Sequence, residues 1–171
     1  MGHAGQIQTD RESFPGSEFG HGAGTALVFL AGALYCALPL DQIIETMRPL
    51  PVQPLAGTGS TVLGICVMRG TPTPVVDVAG VLGGHTATVC RFVAVRTDRG
   101  PVALATGKVF GIQPVDTTVA TGRQASLLSE APTGLIAGVG TFRGEPLLVL
   151  RDLGVLSDEI WAATAARVAE S

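Results

Sequence analysis

Thr61-Val-Leu-Gly-Ile-Cys-Val-Met-Arg-Gly-Thr-Pro-Thr-Pro-Val-Val-Asp-Val-Ala-Gly-Val-Leu-Gly-Gly84 is the stretch around which the chain can be laid out. It opens with an apolar run, Val62 to Met68, too short for a core helix and rich in β-branched residues. Arg69-Gly70 makes a corner, and Pro72 and Pro74 punctuate the entry to a second run, Val75 to Val78. Two such runs meeting at a Gly-bearing corner read as a β-hairpin. Gly70 supplies the positive φ that tight corners need, and the prolines suit the start or edge of a strand. Asp77 to Gly84 then has room for only a turn or two of helix before its glycines end it.

The same phrase returns at Leu135 to Leu153, with Arg143-Gly144 placed 74 residues (143 − 69) after Arg69-Gly70. At that offset Gly64 meets Gly138, Met68 meets Phe142, Pro72 meets Pro146 and Val75 meets Val149. A second pair of segments matches at 66 residues (104 − 38): Ala37-Leu38 meets Ala103-Leu104, and Ile43-Ile44 meets Val109-Phe110. The chain reads as two copies of one β-rich unit. Two copies are too few for a solenoid, so the expectation is a pair of packed β subdomains.

A chain of 171 residues has room for one domain, or two intimate halves, burying roughly 70% of its unfolded surface. Hydrophobic residues make up 46% and charged residues 15%, with a mean hydropathy of +0.42. So apolar a chain must bury its strands on both faces or present apolar surface to partners. The 23 Gly and 11 Pro fall between apolar runs, as the short turns of an all-β protein require. With a net charge of −3 and a single lysine, Lys108, it lacks the basic cluster of a nucleic-acid binder.

Cys36, Cys66 and Cys90 sit in or beside apolar runs with no Cys-x-x-Cys spacing and read as free, buried thiols of a reducing compartment. His3, His21 and His85 lie in Gly-rich loops, away from those cysteines, so no metal site or cofactor is expected. Phe19 to Leu40 has no charged residue if His21 is neutral, and its length could span a bilayer. Its strongly apolar part starts only near Ala26, however, and Gly32 and Pro39 interrupt it. Asp10, Glu12 and Glu18 outnumber Arg11 ahead of it, the reverse of a signal peptide. We read it as a cytoplasmic strand pair without membrane insertion; an anchor over Ala26 to Leu40 is the alternative.

Residues 1–24 are polar and Gly-rich and read as a disordered tail. Ala26 to Leu30 and Leu34 to Leu38 form a first hairpin, followed by a turn and a strand over Ile43 to Met47. Arg48 to Ser60, with Pro49, Pro51 and Pro54, is an extended connector. In the second copy the strands are Cys90 to Val95, Val102 to Ala105 and Val109 to Val115, with a polar loop over Asp116 to Thr133. Ser157 reads as the N-cap of a terminal helix, Asp158 to Ala169, whose docking side would be Ile160, Trp161, Thr164, Ala165 and Val168. The domain boundaries expected are therefore 1–24, 25–156 and 157–171.

These residues carry a family resemblance. The segment from Pro49 to Gly83 resembles the signature of the CheW family of bacterial chemotaxis coupling proteins: a Pro-rich connector, a strand ending at Arg-Gly, then a Pro-Val-x-Asp strand and short helix. Upstream, Cys36 to Arg48 resembles the family's aromatic-Ala-Leu-Pro-Leu segment with its Glu, and the likeness spans about Ala26 to Leu156. It implies an all-β fold of two SH3-like five-stranded barrels, and a non-enzymatic adaptor. Such an adaptor joins the cytoplasmic tips of methyl-accepting chemoreceptors to the regulatory domain of a CheA-type histidine kinase. Carried over, Arg69, Gly70, Glu45 and Ile43 match family positions around the partner-binding surfaces, and Val67 and Met68 stand where the family has Asn and Leu.

Read without that resemblance, the same residues have plainer roles. Arg69 is a solvated turn residue, Glu45 an exposed carboxylate, Ile43 as much core as surface, and Asp77 a helix cap. Gly138-Val139-Gly140 precedes a strand rather than a helix, so no dipole is aimed at a phosphate. A cysteine enzyme pairing Cys66 or Cys36 with His85 is the rival function, although a thiolate in an apolar run is disfavoured.

Overall fold

The structure is a computed structural model that describes residues 23–59, 61–84, 87–118, 135–151 and 158–169. In chain order the strands are β1 (Ala23–Ala31), β2 (Leu34–Pro39), β3 (Ile43–Met47), β4 (Val62–Met68) and β5 (Thr71–Asp77). After the short helix α1 (Val78–Val81) come β6 (Arg91–Thr97), β7 (Gly100–Thr106), β8 (Val109–Thr118), β9 (Ile136–Phe142) and β10 (Glu145–Leu150). Helix α2 spans Asp158–Ala169.

The strands form two five-stranded sheets, as expected, but the sheets do not coincide with the two sequence copies. The hairpin β1–β2 leaves its own copy and completes a closed barrel with β8, β9 and β10, in the order β1-β2-β10-β9-β8. In exchange, β6–β7 inserts between β3 and β5 in the second sheet, ordered β3-β6-β7-β5-β4. Both sequence offsets reappear in the register. Val75 lies opposite Ala103 in the parallel pair β5–β7, and adding 74 and subtracting 66 gives Val149 opposite Ala37 in the parallel pair β10–β2. The bulge between Ile43 and Glu45 likewise returns between Val28 and Phe29, whose partners are Gly111 and Val109.

Period-two alternation explains why these strands are apolar on both sides. In β1, Leu27 and Phe29 join a core made by residues of both sheets, while Ala26 and Val28 fill the interior of the closed barrel. In β6, Val93 and Val95 enter the shared core, and Phe92 and Ala94 fill the interior of the second sheet. The described residues therefore form three apolar layers, two inside the sheets and one in the seam between them. Fully burying each Val, Leu or Phe there contributes on the order of 1.5–3 kcal/mol.

Among the described residues, one sheet closes by hydrogen bonds and the other does not. In the closed barrel, β8 runs unbroken to Thr118 and pairs with β9 from Asp116 onward. Its counterpart in the first copy stops at Met47, where Pro49 and Pro51 cannot donate to a ladder. The chain returns to β4 only at Gln53, whose N–H and C=O bond Ile65 at 2.8 Å each.

Several expectations change. Strand β1 already includes Ala23 and Gly24, and the rest of the expected tail, residues 1–22, lies outside the described residues. Strand β8 takes Asp116 to Thr118 from the expected loop, because they pair with β9; 119–134 lie outside the described residues. Ala26 to Leu40, the alternative anchor, forms the β1–β2 hairpin and the start of a single turn, Leu40–Gln42, rather than one continuous helix. Among the described residues no helix is long and apolar enough to cross a membrane.

Helix α2 docks through Ile160 and Thr164, both buried, and half-buried Trp161, whose ring lies against Gly100 and under the guanidinium of Arg99. Ala165 is exposed, being on the solvent side of that turn; Ser157 and the side chain of Val168 lie outside the description. Asp77 occupies the N-cap position of α1 but makes no cap hydrogen bond, and its buried Oδ2 has no partner among the described residues.

Candidate functional site

Arg69 and Gly70 form a two-residue turn between Met68 and Thr71, the last pair of the β4–β5 ladder. Both have positive φ, +50° and +78°, the conformation of a type I′ turn, whose twist matches that of a hairpin. The unusual sign at Arg69 throws its side chain sideways off the hairpin end and toward β3. There Nε donates to Glu45 Oε1 and Nη2 to Glu45 Oε2, both at 2.7 Å.

This fork joins the two outermost strands of the second sheet, β3 and β4, which share no ladder. The Arg69 side chain is 77% exposed and that of Glu45 26%, so the link contributes orientation more than stability. Hydrogen bonding to Arg69 holds the Glu45 carboxyl below the usual range, with their charge attraction acting the same way; Glu45 in turn raises Arg69.

The other residues singled out from the sequence divide by face. Val67 is 63% exposed and stands beside the turn. Met68 is buried in the interior of the second sheet, and Ile43 packs half-buried against the seam core. The open part of the corner is therefore Val67, Arg69, Gly70 and the rim of Glu45. Exposed Ile44, next to Glu45, is a further apolar side chain that the sequence did not single out.

At the pseudo-equivalent corner of the closed barrel the chemistry differs. Arg143 and Gly144 repeat the two positive φ values, at +51° and +78°. Instead of a carboxylate, Arg143 meets aromatic faces, with Cζ 4.9 Å from the centroid of Phe110 and 5.2 Å from that of Phe142. Tyr35 packs on both rings at centroid distances of 5.7 and 5.2 Å, and Lys108 Nζ lies 5.0 Å from the Phe110 centroid. The signal for this cluster was the pairing of Met68 with Phe142 and of Ile44 with Phe110 at the two offsets.

The cysteines expected to be buried are so at Cys36 and Cys66, where burial pushes both thiols up and makes the thiolate unfavourable. Cys90 is exposed, because it precedes β6 on the connector rather than lying within the strand. His85, the proposed partner of a catalytic thiol, lies outside the described residues.

The fold is similar to that of the scaffolding protein TtCheW from Thermoanaerobacter tengcongensis, with a TM-score of 0.61 and 15% identity, over 75% of this chain and 88% of that one. Among curated proteins none matches the chain by sequence. The profile of the CheW-like domain matches residues 25–159, which takes in all ten strands except the first two residues of β1. On that match, and with two interleaved five-stranded sheets to bear it out, the chain belongs to the CheW-like domain family.

Proposed function

We propose that this protein is a non-enzymatic chemotaxis adaptor that couples the cytoplasmic tips of chemoreceptors to the regulatory domain of a CheA-type histidine kinase. Family membership supports the adaptor role, and so does the scaffolding role in the name of the similar Thermoanaerobacter protein. The observation that carries the site is the Arg69–Glu45 fork. It sets a guanidinium at a two-residue turn that follows exposed Val67 and bonds the carboxylate next to exposed Ile44, at the junction of two strand edges. A partner gains apolar contact from the two aliphatic side chains and a directional, charge-assisted bond from the arginine's remaining N–H groups.

A cysteine-based activity is disfavoured by the raised thiols of Cys36 and Cys66. The adaptor reading is tested by titrating the full chain with an isolated CheA regulatory domain. Arg69→Glu places like charge against Glu45 and is expected to weaken binding at least about tenfold. Unchanged affinity in that variant would remove the Arg69 corner from the interface, and no binding by the wild-type chain would remove the kinase as partner.

A further inference from the structure

The pseudo-twofold relation sets two corners side by side for comparison. At one, Arg69 is answered within the chain by Glu45. At the other, the position equivalent to Glu45 at an offset of 66 is Gly111, and nothing lies within 4 Å of where its Cβ would be. Arg143 thus keeps the backbone geometry of Arg69 without the carboxylate that neutralises it. Among the described residues neither Arg143 nor Lys108 has a carboxylate within ion-pairing distance, although Asp116 and Glu145 are in the neighbouring strands.

Both cations are instead held over Phe110, and Arg143 over Phe142 as well. Stacking on a ring fixes the plane of a guanidinium while leaving its edge N–H groups available. The surroundings are apolar: the Tyr35, Phe110 and Phe142 rings are half-buried, and Ile112, two residues beyond Phe110, is 62% exposed. A small inorganic anion would use the two charges and nothing else. A protein side chain uses both charges and rim.

We propose that this corner of the closed barrel is a docking site for a polypeptide segment that presents a carboxylate beside apolar side chains. The partner's carboxylate occupies the space over Gly111 and pairs with Arg143, supplying from outside what Glu45 supplies from within at the other corner. This site is distinct from the Arg69 corner and does not depend on the kinase assignment made there.

The test uses the full isotope-labelled chain and a blocked Leu-Glu-Leu-Phe peptide, with its Leu-Gln-Leu-Phe twin as the neutral probe. The Glu peptide is expected to move the amide signals of Gly111, Phe110 and Phe142, and to bind about tenfold more tightly than the twin. Arg143→Gly keeps the turn, since glycine adopts its positive φ freely, and is expected to abolish that preference; Arg69→Gly is expected to retain it. Equal affinity of the two peptides would overturn the proposal, as would a preference that survives Arg143→Gly or shifts centred on the Arg69 corner. Acetate or phosphatidylserine vesicles moving the same signals as strongly as the peptide would replace the polypeptide by a generic anion or a membrane. Arg143-dependent self-association of the chain, read by sedimentation, would replace it by a second copy.

Discussion

Arg69 reaches across 24 residues of sequence to grip both carboxylate oxygens of Glu45, and in doing so ties the two edges of the sheet that hydrogen bonds leave open. Because that carboxyl is held below its ordinary value of about 4.3, the link is complete at neutral pH. Its contribution is full above the ordinary value and is lost as pH falls through the lowered folded one. In Arg69→Gly the Glu45 midpoint, followed by carboxyl NMR, is expected to rise, with little change in thermal stability because the pair is exposed and glycine suits the turn. A midpoint indifferent to the substitution would show that the fork does not persist in solution.

In each sheet one glycine lets a neighbouring backbone come closer than a side chain would allow. A Cβ at Gly64 would fall on the backbone carbonyl of Gln53, and one at Gly140 on that of Asp116. Gly64 also has φ +142°, which side-chain-bearing residues rarely adopt. Gly64→Ala and Gly140→Ala are each expected to cost about 1–3 kcal/mol in chemical denaturation. Gly59→Ala, which meets nothing within 4 Å, is expected to stay within about 0.5 kcal/mol of wild type.

The exchange of hairpins makes each sequence copy incomplete. Residues 1–84 lack β6–β7, the centre of their own sheet, and residues 85–171 lack β1–β2. Neither fragment is expected to show dispersed NMR signals alone, and mixing the two is expected to restore them. A fragment that folds by itself would mean the copies can pair internally and that the exchange is not obligatory.

Thiol labelling separates the cysteines by exposure. Cys90 is expected to react first in the native chain, and Cys36 and Cys66 only as denaturant opens the cores, because burial disfavours their thiolates. Rapid labelling of Cys66 at neutral pH would restore a cysteine-based activity to consideration.

Local pattern located many elements closely. Strands Ile43–Met47 and Val62–Met68 and helix Asp158–Ala169 coincide with the stretches read from periodicity and from Gly and Pro punctuation. Those signals are carried by neighbouring residues and need no knowledge of the fold. The misreadings fall where a neighbour in space decides. Ala165 has the spacing of a docking face but is exposed, and Asp116 to Thr118 are polar yet belong to a strand because β9 pairs with them.

By itself the sequence determined the duplication, the Arg-Gly corners and their offsets, since likeness between segments is a property of the segments. Only the tertiary structure decided which sheet each hairpin enters. A strand's unpaired N–H and C=O groups accept any edge of matching register, so the shared core of both sheets selects the partner. The same long-range packing gave one arginine a carboxylate and its twin two aromatic rings, a difference in surroundings that two identical Arg-Gly pairs could not announce.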